Sequence, residues 1–421
     1  MKGRTLAMAC LCGVLLACSS QPTHPSAPSS TVPRAPIEAA PVEAAPGAGV
    51  AWLGEAGRMR GFTPDGRELT LAGLPLFNSS NESTGLRSSD GRRLYVVSAG
   101  KLTVASATDG RVERLIDLPP AWRLAAAPLT AASLSPDGRW LALESNISAT
   151  DLLLIDLEAG TTAASGSLAI DQRGGAAPPG GPGLLALPGG RLLMLLPGTA
   201  EAVMGAPRNG LLEIQSRLSD QGLSCPSPTL LHALPGGSAA VGYCPMDGRV
   251  WWLDLDSFRL AAAVQARIGN PFWGAPLFTP DGRLLYVYDS WDGGVSTVDL
   301  VGRKMLNTRV TVGRRTALHL PLAEDVYAKG PNFSAALSAD GSTLFANGAR
   351  DSAAGIYALS TRDWSLKAHW FDGKRFNSIW AGGDGRQLYA IREGGALDII
   401  DLRSGSARTA SLGVEADFTV P

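Results

Sequence analysis

Seven times between residues 88 and 391 the chain runs through a tight turn closed by glycine into a second apolar stretch. The copies are SSDGRRLYVV (88–97), SPDGRWLALE (135–144), LPGGRLLMLL (187–196), LPGGSAAVGY (234–243), TPDGRLLYVY (279–288), SADGSTLFAN (338–347) and GGDGRQLYAI (382–391). Their turn glycines, Gly91, Gly138, Gly190, Gly237, Gly282, Gly341 and Gly385, lie 47, 52, 47, 45, 59 and 44 residues apart. Asp-Gly and Gly-Gly supply the positive φ that a tight hairpin needs. After the hairpin a second pattern recurs: GKLTVASATDGRVERLIDL (100–118), GGVSTVDLVGRKMLNTRV (293–310) and GALDIIDLRSGSARTASL (395–412) each read strand, turn, strand. The module is an inner strand A, the glycine turn, strand B, a loop, strand C, a turn and an outer strand D. Such a sheet buries both its faces only against copies of itself, and a period in the forties predicts an all-β propeller of four-stranded blades.

The two ends of the repeat set the blade number. GRMRGFTPDGRELTLAGLP (57–75) aligns with strands C and D, and VAWLG (50–54) with strand B, but no strand A precedes them. At the other end VEADFTV (414–420) is left over as a single strand. The economical solution is an eight-bladed propeller over residues 50–421, its ring closed by the C-terminal strand completing the N-terminal blade; seven blades with an extra N-terminal hairpin is the alternative. In the third copy, PGTAEAVMGAPRNG (197–210) reads as an insertion, so a long B–C loop is expected there. With 50 glycines and 18% charged residues, composition suits a turn-rich β protein, and a net charge of −1 gives no field that would draw nucleic acid.

The N-terminus carries an address. Lys2 and Arg4 precede an apolar run over residues 6–17, too short to span a bilayer comfortably. The run closes on Leu15-Leu16-Ala17-Cys18, which resembles the lipobox of bacterial lipoproteins; an ordinary signal peptide that contains a cysteine is the competing reading. The resemblance implies a signal peptide over residues 1–17, acylation of Cys18, and, because Ser19 is not aspartate, an outer-membrane destination. Residues 18–49 add seven prolines and little that can pack, as expected of a Pro/Ala/Ser-rich tether. Of five cysteines, Cys10 and Cys12 leave with the signal and Cys18 takes the lipid. Cys225 and Cys244 remain, flanking the fifth hairpin in an exported chain, and are expected to form a structural disulfide between strands A and B rather than a redox pair.

FTPDGRLLYVYDSWDGGVSTVDLVGRK (278–304) resembles the YVTN-type propeller repeat, WD40-like in architecture and shared by surface-layer propellers, lactonase-like proteins and amine dehydrogenase heavy subunits. The resemblance extends over residues 50–421 and rests on structural positions, so it implies fold and leaves function to the site.

Chemistry-bearing residues are sparse. His24, His232, His319 and His369 show no metal-like spacing, so no metal is expected, and no cofactor-docking motif is present. Asp90, Asp137, Asp281, Asp340 and Asp384 all sit in turns, where a carboxylate bonds nearby backbone amides. Function is expected at the funnel formed by the D–A and B–C loops, several of which are long or aromatic. They bring Trp122, Arg123, Phe272, Trp273, Arg314, Arg315, His319, Tyr327, Lys374 and Arg375 to one rim, suited to gripping a partner surface, against the plainer reading that these aromatics plug the blades. The expected protein is therefore an outer-membrane lipoprotein, facing the periplasm and held by its lipid alone, whose propeller binds other envelope proteins without catalysis. Its architecture resembles the eight-bladed lipoprotein of the outer-membrane barrel-assembly machinery, although that family's repeat signature is missing. A lactonase-like or amine-dehydrogenase-like enzyme, and a cell-surface adhesin, are the alternatives.

Overall fold

A computed structural model describes residues 49–55, 58–72, 74, 84–88, 90–98, 100–122, 129–146, 150–168, 183–196, 200–225, 230–244, 248–266, 274–289, 294–310, 335–347, 354–392, 394–412 and 418–420. All of them belong to the second of two units, Arg34–Pro421. The expected signal peptide, Cys18 and nearly all of the tether lie outside the described residues.

Among the described residues, thirty-two strands form eight four-stranded blades. In A-to-D order, blade 2 is Thr84–Arg87, Arg93–Ser98, Lys101–Ser106 and Val112–Asp117; blade 3 is Leu129–Leu134, Trp140–Asn146, Thr150–Asp156 and Thr161–Leu168. Blade 4 is Gly183–Ala186, Leu192–Leu196, Glu201–Arg208 and Leu211–Ser219; blade 5 is Leu230–Ala233, Ala239–Cys244, Arg249–Asp254 and Arg259–Gln265. Blade 6 is Gly274–Phe278, Leu284–Asp289, Gly294–Asp299 and Lys304–Val310; blade 7 is Ala335–Leu337, Thr343–Asn347, Ile356–Ser360 and Leu366–Trp370. Blade 8 is Phe376–Ala381, Gln387–Arg392, Ala396–Asp401 and Ala407–Ser411. Blade 1 takes strands B, C and D from Ala51–Glu55, Arg58–Phe62 and Glu68–Leu71, and its strand A from Phe418–Val420 at the far end of the chain. Eight blades closed by the C-terminal strand is the observed solution, and the seven-bladed alternative falls.

Each blade is wedged between two others, so its middle strands are apolar on both faces and read as nearly continuous hydrophobic runs. In blade 8, Ile379, Leu388, Ala390 and Ile400 pack with blade 7, while the alternate residues Trp380, Tyr389, Ile391 and Ile399 pack with blade 1. Eight such clusters occur, one for each seam of the ring. Outer strands have less to cover them and alternate instead, as Arg259–Gln265 does.

The recurring aspartates build the inner turn. In blade 6 the Thr279 hydroxyl donates to Asp281 at 2.6 Å and accepts from the Leu284 amide at 3.0 Å, while the Arg283 amide donates to Asp281 at 3.1 Å. Gly282 closes the turn at φ 66°. Bonding to that hydroxyl holds the Asp281 carboxyl below the usual carboxylate range. Ser338, Asp340 and Thr343 repeat the arrangement in blade 7.

Ring closure is polar as well as apolar. Trp52, Leu53 and Gly54 pair with Val420, Thr419 and Phe418. Arg60, 7% exposed, donates to the Leu412 carbonyl of blade 8 at 2.9 Å, and its guanidinium also pairs with Glu68 at 2.7 Å. Arg87 of blade 2 donates to the Val50 carbonyl at 2.5 Å, and the Tyr389 hydroxyl of blade 8 donates to the Gly49 carbonyl.

Blade 4 departs from expectation. The stretch thought to be an inserted loop is strand C, Glu201–Arg208, and the B–C connection is short. Gly205 and Pro207 read as loop formers, but Gly205 follows a register break and has Leu212 packed where its side chain would be. The outer strands of blades 3 and 4 also pair in parallel at Ser165 and Leu211, joining the two blades into one eight-stranded sheet.

Candidate functional site

Antiparallel order A-B-C-D puts the A–B and C–D turns on one side of the ring and the B–C and D–A connections on the other. The first will be called the turn face and the second the funnel face. Strand A of blade 1 ends, and its strand B begins, at the turn face, so Val50 enters the ring there and Val420 leaves it there.

Of the expected rim residues, Arg123, Phe272, Trp273, Arg314, Arg315, His319 and Tyr327 lie outside the described residues. Trp122 lies in the short helical turn Pro120–Trp122 and is half-buried against the apolar seam of blades 2 and 3. Lys374 and Arg375 are exposed on the D–A connection into blade 8. Cys225 and Cys244 form the expected disulfide, Cα–Cα 5.8 Å. It does not join strands A and B: Cys225 lies before strand A, so the bond pins the D–A connection of blade 5 to the end of its strand B, on the funnel face.

The described part of the funnel face holds a cluster that sequence reading did not assemble. Take the residue three positions before the end of each strand C, with its partner on strand D. Among the described side chains, blades 7 and 8 put polar groups at both places: Tyr357 with His369, and Asp398 with Thr409. Blades 1 to 5 place Met59 with Leu71, Thr103 with Leu115, Leu153 with Ser165, Gly205 with Ile214, and Trp251 with Ala263.

Asp398 is wholly buried and faces blade 7. It receives Nη2 of Arg392 at 2.6 Å, Nε at 3.0 Å, and the Thr409 hydroxyl at 2.5 Å. A buried carboxylate persists only when a cation and further donors replace its water, and this one has both. The Arg392 guanidinium lies 5.7 Å from the centre of the Phe371 ring, and the Lys374 ammonium 5.9 Å from it. Phe376 stands beside Phe371 at 5.5 Å. Side-chain-to-backbone bonds link three blades beneath this sector. Tyr288 donates to the Asn347 carbonyl at 2.8 Å, and the Asn347 amide nitrogen donates to the Phe376 carbonyl at 2.6 Å.

On the neighbouring seam Tyr357 and His369 stack at 4.2 Å, with Gly355 leaving room for the imidazole. Burial pushes His369 below the ordinary histidine value, partly offset by Asp372. His232, stacked on Phe278 at 4.0 Å between inner strands of blades 5 and 6, is lowered by burial alone. Below about pH 6.5 an unfolded chain protonates histidine. The folded chain resists at His232, so stability falls with acidification through that window. At pH 5.5 the histidine costs at most about 1.4 kcal/mol. Thermal melts at pH 7.5 and 5.5 should therefore show a smaller acid shift for His232→Phe, which keeps the stack, than for the unaltered chain.

A cleft of about 310 Å³ between blades 2 and 3 lies on the turn face. Its charges answer one another, Arg93 with Glu113 at 3.1 Å and Arg139 with Glu158 at 3.2 Å. No group of three or more His, Cys, Asp or Glu side chains suited to a metal comes together among the described residues. The sector of blades 7 and 8 is thus the better-defined candidate for binding.

Together these elements define an eight-bladed β-propeller with an aromatic and cationic sector on its funnel face. Neither a protein-family profile nor a curated protein matches the chain. Solved structures do. Dihydro-heme d1 dehydrogenase NirN, in complex with DHE, is similar with a TM-score of 0.57 at 17% identity, over 91% of this chain and 77% of that one. Kuenenia stuttgartiensis hydrazine synthase aligns at 0.46 and 15% identity, covering 82% of this chain and 99% of its own. The β-propeller domain of Myceliophteria thermophila Cps50 (Swd1) aligns at 0.48 and 13%, covering 79% and 97%. At this identity the NirN likeness establishes the propeller fold and nothing of its chemistry.

Proposed function

We propose that the chain is a lipid-anchored propeller of the bacterial cell envelope, a binding and assembly module without catalysis that offers its funnel face to other envelope proteins. The observation that carries this reading is the polarity of blade 1. Val50 enters at the turn face, whereas the long D–A connections and the sector around Phe371 belong to the funnel face. An anchor at Cys18, joined through a proline-rich tether, would pull on the turn face and leave the funnel face turned away from the membrane. The lipobox-like Leu15-Leu16-Ala17-Cys18, followed by Ser19, supports an outer-membrane, periplasm-facing address.

The recognition surface in this reading includes Lys374 and Arg375, with Trp122 as its packed base; the expected Trp273, Arg314 and Arg315 lie outside the described residues. Aromatic and arginine side chains of this kind dominate binding hot spots. The test is photo-crosslinking in intact cells from position 375 on the funnel face and from position 283 on the turn face, beside Cys18→Ser. Adducts with an envelope protein are expected from position 375 and not from 283, and Cys18→Ser should release the protein from the membrane fraction. Adducts from position 283 alone would overturn the binding face. Turnover of a lactone or amine by the purified chain would instead place it among propeller enzymes.

A further inference from the structure

At the Phe371 ring of the blade 7–8 sector, Lys374 brings a positive charge that no carboxylate pairs with among the described residues. Asp398 and Arg392 cancel one for one, and the buried carboxylate fixes where the guanidinium points. Arg392 spends Nε and Nη2 on Asp398 and Thr409; its Nη1 makes no hydrogen bond among the described residues. Lys374 reaches the same ring and pairs with no carboxylate among them. The nearby acid, Asp372, acts on the Tyr357–His369 stack of the neighbouring seam.

The backbone gives a second, independent sign. Phe371 stands at φ 56°, in the left-handed region. Of the five non-glycine residues found there among the described residues, Asn209, Phe258, Arg303 and Trp364 belong to C–D turns; Phe371 alone belongs to a D–A connection. Holding a side chain in this region costs about 1–2 kcal/mol. Gly373, two residues on, shows that glycine is used in this loop where only a turn is required. A phenylalanine at position 371 puts an aromatic ring 5.7 Å and 5.9 Å from two cations, the second of them the exposed Lys374.

We propose that this sector binds an acidic polypeptide segment, with one carboxylate held by Nη1 of Arg392 and the Lys374 ammonium beside the Phe371 ring. This rests on the funnel face being the binding face. An isolated small anion would leave the partly exposed Phe371 side chain, seated on buried Phe376, unused, whereas a peptide brings an apolar neighbour along with its acid. A sugar ring would need an open aromatic face to stack on, and both cations already lie over that ring.

The experiment uses the full chain in detergent and fluorescence polarisation at low salt, with labelled hexaglutamate, hexaglutamine and oligogalacturonate as probes. Hexaglutamate should bind and hexaglutamine should not. Lys374→Glu should weaken hexaglutamate binding about tenfold, which is ~1.4 kcal/mol, at an unchanged melting temperature, and Lys374→Arg should retain it. Equal affinity of the unaltered chain and Lys374→Glu for hexaglutamate, or no preference over hexaglutamine, would overturn the site. Tighter binding of oligogalacturonate than of hexaglutamate would overturn the peptide assignment in favour of an acidic glycan. Crosslinks from position 375 that persist unchanged in Lys374→Glu would sink the acidic-peptide site while leaving the binding face standing. A complete lack of funnel-face crosslinks would sink the binding face itself.

Discussion

A chain ending at Leu412 is expected to lose its cooperative melt and to aggregate. Removing residues 413–421 takes away the strand that pairs with Trp52, Leu53 and Gly54, leaving strand B of blade 1 as a bare inner edge. The lost backbone bonds are worth about 1 kcal/mol each. The larger penalty is the unpaired edge, a template for joining other chains. The seam between blades 8 and 1 keeps its apolar residues, among them Ala51, Leu53, Trp380 and Tyr389, so the truncated chain should remain partly collapsed rather than fully unfolded. Two controls make this specific. A synthetic peptide of residues 413–421, added in trans, should restore a sharp transition by supplying strand A, since strand addition reuses the same ladder. A circular permutant joining Val420 to Gly49 by a short linker should keep the full melting temperature, because both positions lie on the turn face. A truncated chain that melts sharply at the unaltered temperature would show that the C-terminal strand does not close the ring.

That closure is legible in the sequence, and the reason is geometric. A repeat with one strand too few at its start and one too many at its end has a single economical assembly, and the Asp-Gly turns fix the phase of every blade between. Strand C of blade 4 reads as a loop because its outer hairpin uses Asn209-Gly210 in place of an Asp-Gly turn, and because Gly205 and Pro207 normally break strands. The strand forms regardless, since a register break at Met204/Gly205 relieves the ladder there. The sequence identifies the disulfide partners but not the elements they join. Flanking the fifth hairpin suggests a bond between its two strands, whereas strand A starts only at Leu230 and the D–A connection carries Cys225.

The site was much less legible. Irregular loops rich in Trp and Arg attract attention, and that route found Lys374 and Arg375 but neither Arg392 nor Asp398. Those two lie within regular strands, where a charged residue reads as an ordinary strand end. One trace was available: Asp398 interrupts the apolar run ALDIID at a position that its neighbours bury. What a single strand cannot show is which blade that position faces. Thr409 meets the carboxylate within blade 8, but Phe371 meets the guanidinium only once the ring places blade 7 against blade 8. Local pattern therefore gives the blade, while the site belongs to the seam.

Gly242→Ala should destabilise the protein by about 3 kcal/mol or more, at the upper end of what overpacking a core costs. Gly242 lies directly across from Trp251 in blade 5, and a methyl group there would meet indole Cζ2 at 1.9 Å and Cε2 at 2.2 Å. The backbone offers no other reason for glycine, because Gly242 is not among the residues with positive φ. Nor can the indole move aside: Trp251 is 1% exposed and is packed with Leu185, Leu193 and Leu253 in the seam between blades 4 and 5. Blade 1 has the same pairing in milder form, since Gly61 opposes Trp52 with a closest approach of 3.0 Å. Gly61→Ala should accordingly cost only about 1 kcal/mol. Denaturant melts of both variants, with Trp251→Phe alone and combined with Gly242→Ala, give the coupling energy of the pair. The double variant should be more stable than the sum of its two parts, because the smaller ring frees the space the methyl group needs. If Gly242→Ala proves no worse than Gly61→Ala, the indole is not what keeps glycine at this position. The effect should also reach the funnel face, because strand B ends two residues later at Cys244, where the disulfide holds the D–A connection.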